Sequence, residues 1–372
     1  MVHSTDVFVI GGGPAGLAVA IAARRQGWEV VVADGSKPPI DKPCGEGLMP
    51  DALAALGKLG VDLSIGDGFP FRGIRFVDGR TSIFADFPGA SGLGLRRTIL
   101  HRKMLDRAAE LGVHLLWETP VTGITPEGVA LAERLKHGAI GARWIVGADG
   151  AQSRVRRWAG LDRSQGRRDR LACRGHFAVT PWSDCVEIYW ADDAQAYVTP
   201  VSASEVCVVV VSQKVNRDLS LALAEFPELA RRLRGEQLAR PERGALTKMR
   251  QLRKVYRGNV ALIGDASGSV DAITGEGLSL SFHQAEALAD AIDRDDLSAY
   301  QKAHRQLARR PTFMARLLLL LDGRPRLRRR TFATFTNHQE LFARLISIHV
   351  GETSPAHFAA TGAMLGWQFL SI

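Results

Sequence analysis

The chain has 372 residues, 46% hydrophobic and 23% charged, with 48 Lys and Arg against 39 Asp and Glu for a net charge of +9. This composition excludes a disordered or fibrous chain and is ample for a large core, either two domains or one large α/β unit. Four cysteines (Cys44, Cys173, Cys185, Cys207) without a CxxC pair exclude a disulfide framework or zinc ribbon, and the longest apolar run, Leu317–Leu321, is far below the roughly 18 residues that span a bilayer.

The first segment, Asp6 to Ile10, is apolar and β-branched and reads as a buried strand. No secretory pattern precedes it, so a soluble cytoplasmic protein is expected. A glycine cluster, an alanine-rich helix from Leu17 to Gln26 and a second buried strand from Glu29 to Ala33 complete a βαβ unit, which announces a parallel sheet. Residues 37–50 are rich in Pro and Gly and read as a long loop of the kind that is usually functional. A helix follows from His101 to Leu111, and a buried strand from Trp144 to Ala148. Short β-branched runs between 171 and 215, such as Val206 to Val211, predict an antiparallel sheet. The buried-strand pattern returns at Val260 to Ile263, ahead of a long helix from Gly277 to Ile292. From about Leu297 the chain is helical and basic.

Gly11-Gly12-Gly13-Pro14-Ala15-Gly16 fits G-x-G-x-x-G between strand and helix. Gly11 serves the tight turn, Gly13 the close approach of a pyrophosphate, and Gly16 the contact of helix with strand. The helix N-terminus offers free N–H groups to the phosphates. Asp34 ends the second strand, where an acid accepts a hydrogen bond from a ribose hydroxyl. These features alone specify a dinucleotide; the N-terminal position with Pro14-Ala15 favours FAD.

Further segments carry a family resemblance. Gly147-Ala148-Asp149-Gly150, running on to Arg156, is similar to the D-G motif of flavin-dependent aromatic hydroxylases. Gly264-Asp265-Ala266-Ser267-Gly268, continuing through Gly275-Glu276-Gly277-Leu278, resembles the G-D motif of the same superfamily. The resemblance implies that Asp265 holds the ribityl chain and that the Gly277 and Leu278 amides face the flavin pyrimidine. Gly264 and Gly275 fall in the second of these segments, and Gly47, also expected to face the cofactor, in the loop around Cys44. Arg97-Thr98-Ile99-Leu100 is similar to an R-x-x-L segment whose arginine lies against FAD, and Val121 falls where backbone holds the adenine. The implied fold is that of the p-hydroxybenzoate hydroxylase superfamily. It is an α/β protein with a discontinuous Rossmann-like FAD domain (1–70, 95–165 and 256–296). A β-sheet substrate domain is inserted (71–94 and 166–255), and a helical C-terminal region follows (297–372).

Within that superfamily, Lys42-Pro43-Cys44-Gly45-Glu46-Gly47-Leu48 resembles the C-G-G-G-L loop of geranylgeranyl reductases, and Asp271 to Gly277 resembles their D-P-x-T-G-E-G. Ala272 replaces the usual proline. Gln195-Ala196-Tyr197-Val198-Thr199-Pro200 keeps only the final proline of a Y-x-W-x-F-P segment that positions a prenyl double bond. The W-x-W-x-I-P motif of flavin halogenases is absent. Gly92-Leu93-Gly94 lacks a third glycine and reads as a loop, so no separate nicotinamide domain is seen, although NAD(P)H is the expected donor. A monooxygenase acting on an aromatic or lipophilic molecule is favoured, with a dry pocket over C4a in which a hydroperoxyflavin survives. A C=C reductase of a lipophilic substrate is the alternative, and modification of a partner protein or carrier-bound substrate a third reading. Cys44, Glu46 and Asp271 are the candidate catalytic side chains; Cys44 also reads as packing and Glu46 as a solvated loop acid. His176 and His283 read as structural, and no metal is expected. The apolar helix around Phe313 and Leu317–Leu321, followed by Arg324, Arg326 and Arg328–Arg330, suits peripheral membrane contact or a cap over the core. Its basic run lacks interleaved aromatics, so no nucleic-acid partner is expected.

Overall fold

The computed structural model describes residues 4–125, 129–132, 138–162, 164–166, 170–213, 218–247 and 249–352. Two sheets organise these residues. In the first, strands Ser4–Ile10, Val30–Ala33 and His114–Leu116 extend to one side, and Ala139–Gly147 and Val260–Leu262 to the other, all parallel. Val7, Phe8, Val9 and Ile10 are all buried. Both faces of this sheet are covered, which is why its strands read as continuous apolar runs rather than alternating ones.

The register fixes the site. Ile10 pairs with Ala33 and with Gly147, and Gly147 pairs with Leu262. The strands therefore end level, and Gly11, Asp34, Ala148 and Ile263 emerge together at their carboxyl edge. That edge is where open α/β sheets bind ligands. The helix Pro14–Arg25 packs on one face, against the long helix Gly277–Asp293.

The second sheet has seven strands in the order Leu238–Thr247, Arg170–Phe177, Glu205–Ser212, Ala194–Ser202, Val186–Ala191, Gly73–Asp78, Thr81–Asp86. It is antiparallel except where Val186–Ala191 meets Gly73–Asp78. Along Val206 to Val211 the side chains alternate between two cores. Val206, Val208 and Val210 meet the short helices Leu219–Leu223 and Pro227–Arg232. Cys207, Val209 and Val211 face the C-terminal helices. There Phe76 meets Phe342 at 5.0 Å, and Trp190 meets Phe332 edge-on at 5.8 Å.

The C-terminal helices are Leu297–Leu307, Arg309–Asp322, Pro325–Asn337 and Gln339–His349. Met314, Ala315, Leu318 and Leu321 bury one stripe against the second sheet. Arg328, within the basic run, is buried and paired with Asp78 at 2.8 Å and Asp192 at 3.2 Å. Phe313 and Leu320 remain 39% and 41% exposed on the other side of their helix. Among the described residues, no helix is long and apolar enough to cross a membrane.

Two sequence expectations are corrected. Gly92–Gly94 is not a loop but the centre of a small sheet, between Gly47–Leu48 and Phe69–Phe71. Glycine is required there because a Cβ on Gly94 would lie 1.7 Å from the Pro200 carbonyl oxygen, so the small sheet lies directly against the large one. Residues 37–50 are likewise not structureless throughout: Gly47–Leu48 is the edge of this small sheet, and a helix starts at Pro50.

Candidate functional site

A cavity of about 550 Å³ lies between the carboxyl edge of the parallel sheet, the large sheet and the C-terminal helices. Its walls have two characters. At one end stand Gly13, Pro14, Ala15, Arg97, Gly150 and Asp265, with Gly275, Gly277 and Leu278 beside them. At the other end the lining is apolar and aromatic, including Phe71, Phe76, Ile188, Tyr197, Met314 and Leu318. Cys44, Glu46, Gly47 and Asp271 also line it. Gly11, Gly16, Asp34, Val121, Asp149 and Gly264 do not line it. Gly11, Asp34 and Gly264 sit just behind, at the strand ends, and Val121 is buried beneath them with Phe8 and Ile10.

The glycine turn has the shape that a pyrophosphate requires. Gly11 has φ +114°, and a Cβ on Gly16 would lie 1.9 Å from the Gly11 carbonyl oxygen, so helix and strand touch through hydrogen alone. A Cβ on Gly13 would meet nothing within 4 Å. The space beside the first helical amides is therefore open, as an approaching phosphate needs. Asp34 binds the turn, accepting hydrogen bonds from the amides of Gly12 at 2.7 Å and Ser36 at 2.8 Å. His101 Nε2 donates to the Gly12 carbonyl at 2.8 Å, and burial lowers its pKa, so it is neutral.

Asp149 of the second motif serves the local backbone. Asp149 Oδ2 accepts from the amides of Arg154 at 2.6 Å and Val155 at 3.1 Å, capping the helix Arg154–Trp158. Asp149 Oδ1 is buried without a partner, as is Arg97 Nε. Asp265 is open to the cavity while protein surrounds it elsewhere; that desolvation raises its carboxyl pKa, against Lys42, Arg97 and Arg156. Arg97, with its orphaned donor, shares one wall with the open glycine cradle and Asp265, and Asp149, with its orphaned acceptor, adjoins Gly150 of that wall without lining the cavity. These residues fit FAD: Gly13 and the amides after it for the pyrophosphate, Asp34 for a ribose, Asp265 for the ribityl chain, and Gly277–Leu278 for the ring.

Glu46 is buried rather than solvated. It sits at φ +57° and is 3% exposed. Its Oε1 accepts from the Arg97 amide at 3.0 Å and from Arg174 at 3.2 Å, and its Oε2 from His176 Nε2 at 2.7 Å. Sequence reasoning treats His176 as structural and does not connect it to Glu46; the two are joined only because the strand Arg170–Phe177 packs under the loop. Glu46, His176 and Cys207 bring three potential ligand atoms within 4.8 Å of one another. Arg174 already supplies the positive charge at that point, so the cluster is complete as an ion-pair network. Cys44 is half-buried. Its carbonyl accepts from the Cys207 thiol at 3.6 Å, and burial pushes that thiol's pKa well up.

Asp271 is 3% exposed and committed to structure. Its Oδ1 accepts from Arg170 at 2.9 Å and from the Ile273 amide at 3.1 Å, which fixes the turn Ala272–Thr274. Tyr197 donates to the Ile273 carbonyl at 3.0 Å and ties the same turn to the large sheet. Glu276 and His349, which sequence reasoning does not single out, also stand in this region. His283 Nδ1 lies 2.8 Å from the Ser279 carbonyl, one turn back in its own helix.

Comparisons with known proteins agree with the geometry. Residues 4–295 match the family model described as an FAD binding domain. The chain is 29% identical over 321 residues to the menaquinone reductase of Mycobacterium tuberculosis, covering 79% of this chain and 78% of that protein. It is 27% identical over 318 residues to digeranylgeranylglycerophospholipid reductase 1 of Methanococcoides burtonii, covering 79% and 76%. The solved structure of the flavin-dependent brominase Bmp2 superposes with a TM-score of 0.84 over 98% of this chain and 99% of that one, at 19% identity. That likeness establishes the shared fold.

Proposed function

The chain belongs to the FAD-binding-domain family and is an FAD-dependent oxidoreductase, and from that premise we propose that it reduces a carbon–carbon double bond in an isoprenoid lipid. The observation that carries this reading is the apolar end of the cavity. Phe71, Phe76, Ile188, Met314 and Leu318 form a chamber continuous with the wall that fits the flavin. An extended hydrocarbon gains roughly 25 cal/mol for each Å² it buries there. The relatives that match over three quarters of their own length are named for reducing menaquinone and a digeranylgeranyl lipid, both isoprenoid. Both names also agree with the Cys44 loop and the Asp271–Gly277 segment.

FAD, when bound, would supply a hydride. The chain's own residues bind and orient. Tyr197 and Thr199 occupy the place where the reductase branch carries its prenyl-positioning segment, and both side chains line the cavity. Burial raises the Tyr197 pKa, so it stays a neutral donor held by Ile273. Met314, Leu318 and Ile346 close the chamber from the helical side and exclude water. NAD(P)H is the proposed reductant.

The test uses FAD-loaded protein reduced with dithionite under anaerobic conditions and mixed with menaquinone or a geranylgeranyl lipid. A mass gain of one hydrogen pair that survives re-oxidation in air supports the reading. In a parallel arm with labelled O2, oxygen incorporated into the substrate with no saturation overturns it in favour of hydroxylation, the reading that the Asp149-Gly150 motif alone suggests.

A further inference from the structure

Glu276 stands at the N-cap position of the helix Gly277–Asp293, immediately before the Gly277 and Leu278 amides, and its side chain makes no capping hydrogen bond. Its side chain is 2% exposed. Arg310 approaches Oε1 at 3.3 Å and His349 Nδ1 approaches Oε2 at 3.4 Å. Neither contact has hydrogen-bond geometry: both carboxylate oxygens and His349 Nδ1 are buried without a hydrogen-bond partner. Such groups are costly to bury and usually have a reason to be there.

Charge counting assigns a proton to this cluster. Arg310 is also committed to Asp51, at 2.9 Å, so one guanidinium faces two carboxyl groups. If both were ionised, a net negative charge would be buried, at a cost of several kcal/mol. Asp51 has the shorter contact, a hydrogen bond from Ser279 at 2.7 Å and 14% side-chain exposure. Glu276 has none of these, so the proton falls on Glu276. The charged and titratable groups around it are Asp51 from Pro50–Lys58, Arg310 from Arg309–Asp322 and His349 from Gln339–His349. Burial pushes the Glu276 pKa up to about 8, against Arg310, with Asp51 adding to the rise. Burial pushes His349 down to about 4, so its imidazole is neutral and its unpartnered nitrogen can accept. The His349 ring lines the cavity beside Ile346 and Met314. The cluster thus runs from solvent, at the half-buried Arg310 and Asp51, to the cavity wall.

We propose that Glu276 and His349 form a buried proton-transfer pair that delivers one proton to a substrate atom in the cavity. This rests on the reduction read above. There the π bond of the substrate breaks, one carbon takes the hydride with its electron pair, and the other carbon takes a proton. The Glu276 O–H bond breaks as its proton passes to His349 Nδ1, and the other ring N–H releases its proton to that second carbon. Glu276 is left as a carboxylate facing Arg310; the Nδ1 proton then returns to it and the other ring nitrogen regains a proton from water as product leaves, which restores the starting tautomer. His349 is the catalytic residue, and Glu276 is a positioning residue that holds the proton.

Infrared spectroscopy of the FAD-loaded protein tests the resting state. At pH 7 a carbonyl stretch of a protonated carboxyl should be present and should titrate away around pH 8. It should vanish in Glu276→Gln, shift in Glu276→Asp and persist in Asp51→Asn. No such band in the wild type, or a band that persists in Glu276→Gln, overturns the proposal. Turnover tests delivery. His349→Gln should retain FAD and the band, yet lose at least tenfold in rate together with the solvent isotope effect on saturation. Wild-type rate and isotope effect in His349→Gln would also overturn it. A titrating band in protein that saturates no double bond overturns the reductase reading instead and leaves the buried acid established.

Discussion

His176 Nε2 lies 2.7 Å from Glu46 Oε2, and both side chains are 1% exposed. One residue belongs to the large sheet and the other to the loop bordering the glycine turn, so this contact fastens the two walls of the cavity together. Arg174 at 3.2 Å and Arg96 at 3.8 Å balance the charge. Removing Glu46 leaves His176 and the Arg97 amide buried without their acceptor, while Arg174 keeps Asp41 and Arg96 keeps Glu205. Glu46→Ala should therefore cost about 1–3 kcal/mol in urea denaturation. It should also loosen Arg97, whose amide loses its acceptor, and weaken FAD binding in titrations of the apoprotein. A loss below about 1 kcal/mol would mean that the network is solvated after all.

Gly13 and Gly16 belong to one motif and should respond oppositely. A side chain at Gly13 enters open space, so Gly13→Val should fold with an unchanged melting temperature but fail to retain FAD. A side chain at Gly16 meets the Gly11 carbonyl oxygen at 1.9 Å, so Gly16→Ala should lower the melting temperature of the apoprotein itself. Circular dichroism together with flavin fluorescence after denaturation separates the two. Equal behaviour would show that the open space at Gly13 is not the pyrophosphate site.

Chain length of the substrate should depend on Leu318 and Met314. Both side chains project from the helix Arg309–Asp322 into the apolar end of the cavity. Leu318→Trp fills part of that end. It should raise KM for a long isoprenoid at least tenfold while leaving a one-isoprene analogue within about twofold, because overpacking there costs roughly 1–3 kcal/mol. Equal losses for both substrates would place the hydrocarbon elsewhere.

How much of this is legible in the sequence depends on whether a residue's reason is local. The strands at Asp6–Ile10 and Trp144–Ala148 declare themselves because burial on both faces demands unbroken apolar runs. Gly11, Gly13 and Gly16 declare themselves because a turn and a helix start are contiguous in the chain. Gly92–Gly94 is misread as a loop because Gly94 answers to the Pro200 carbonyl and Gly92 to Phe71 and the Leu48 carbonyl, partners distant along the chain. Glu46 is misread as solvated for the same reason: Arg174 and His176 come from a different sheet. Glu276 is visible only as the middle of a G-E-G, and nothing near it announces His349 or Arg310. Asp149 fits its motif, yet half of its carboxylate caps a helix that begins a few residues later.

Membrane contact should be measurable at the outer face of the helix whose inner face lines the cavity. Phe313 and Leu320 are 39% and 41% exposed, and Arg309 and Arg316 lie exposed among them. Apolar side chains beside cations favour an anionic bilayer surface. The protein should co-sediment with vesicles containing phosphatidylglycerol and release as salt rises. The double substitution Arg316→Glu with Leu320→Glu should weaken that binding at least tenfold without changing the urea midpoint. Equal binding to neutral and anionic vesicles, or none to either, would remove this surface as the docking face.

Stability against pH should report the Glu276 proton. The folded state raises this carboxyl from 4.5 to about 8. Between those values the folded chain keeps a proton that the unfolded chain has released, so stability falls as pH rises. The slope is at most about 1.4 kcal/mol per pH unit for one group. His349 works the other way. Its pKa falls from 6.5 to about 4, so the unfolded chain holds the extra proton in that window and stability rises with pH there. His304, also lowered to about 4 by burial, adds to that rise. The histidine slopes end near pH 6.5, and above it the Glu276 slope continues as far as about pH 8, beside those of Asp265 and Asp322, whose carboxyl pKa values burial also raises. Wild-type protein should lose stability across that upper interval, whereas Glu276→Gln should fall less steeply there, as read by urea midpoints along a pH series. Parallel curves for the two proteins would show that Glu276 is ionised in the folded state and that Arg310 neutralises it.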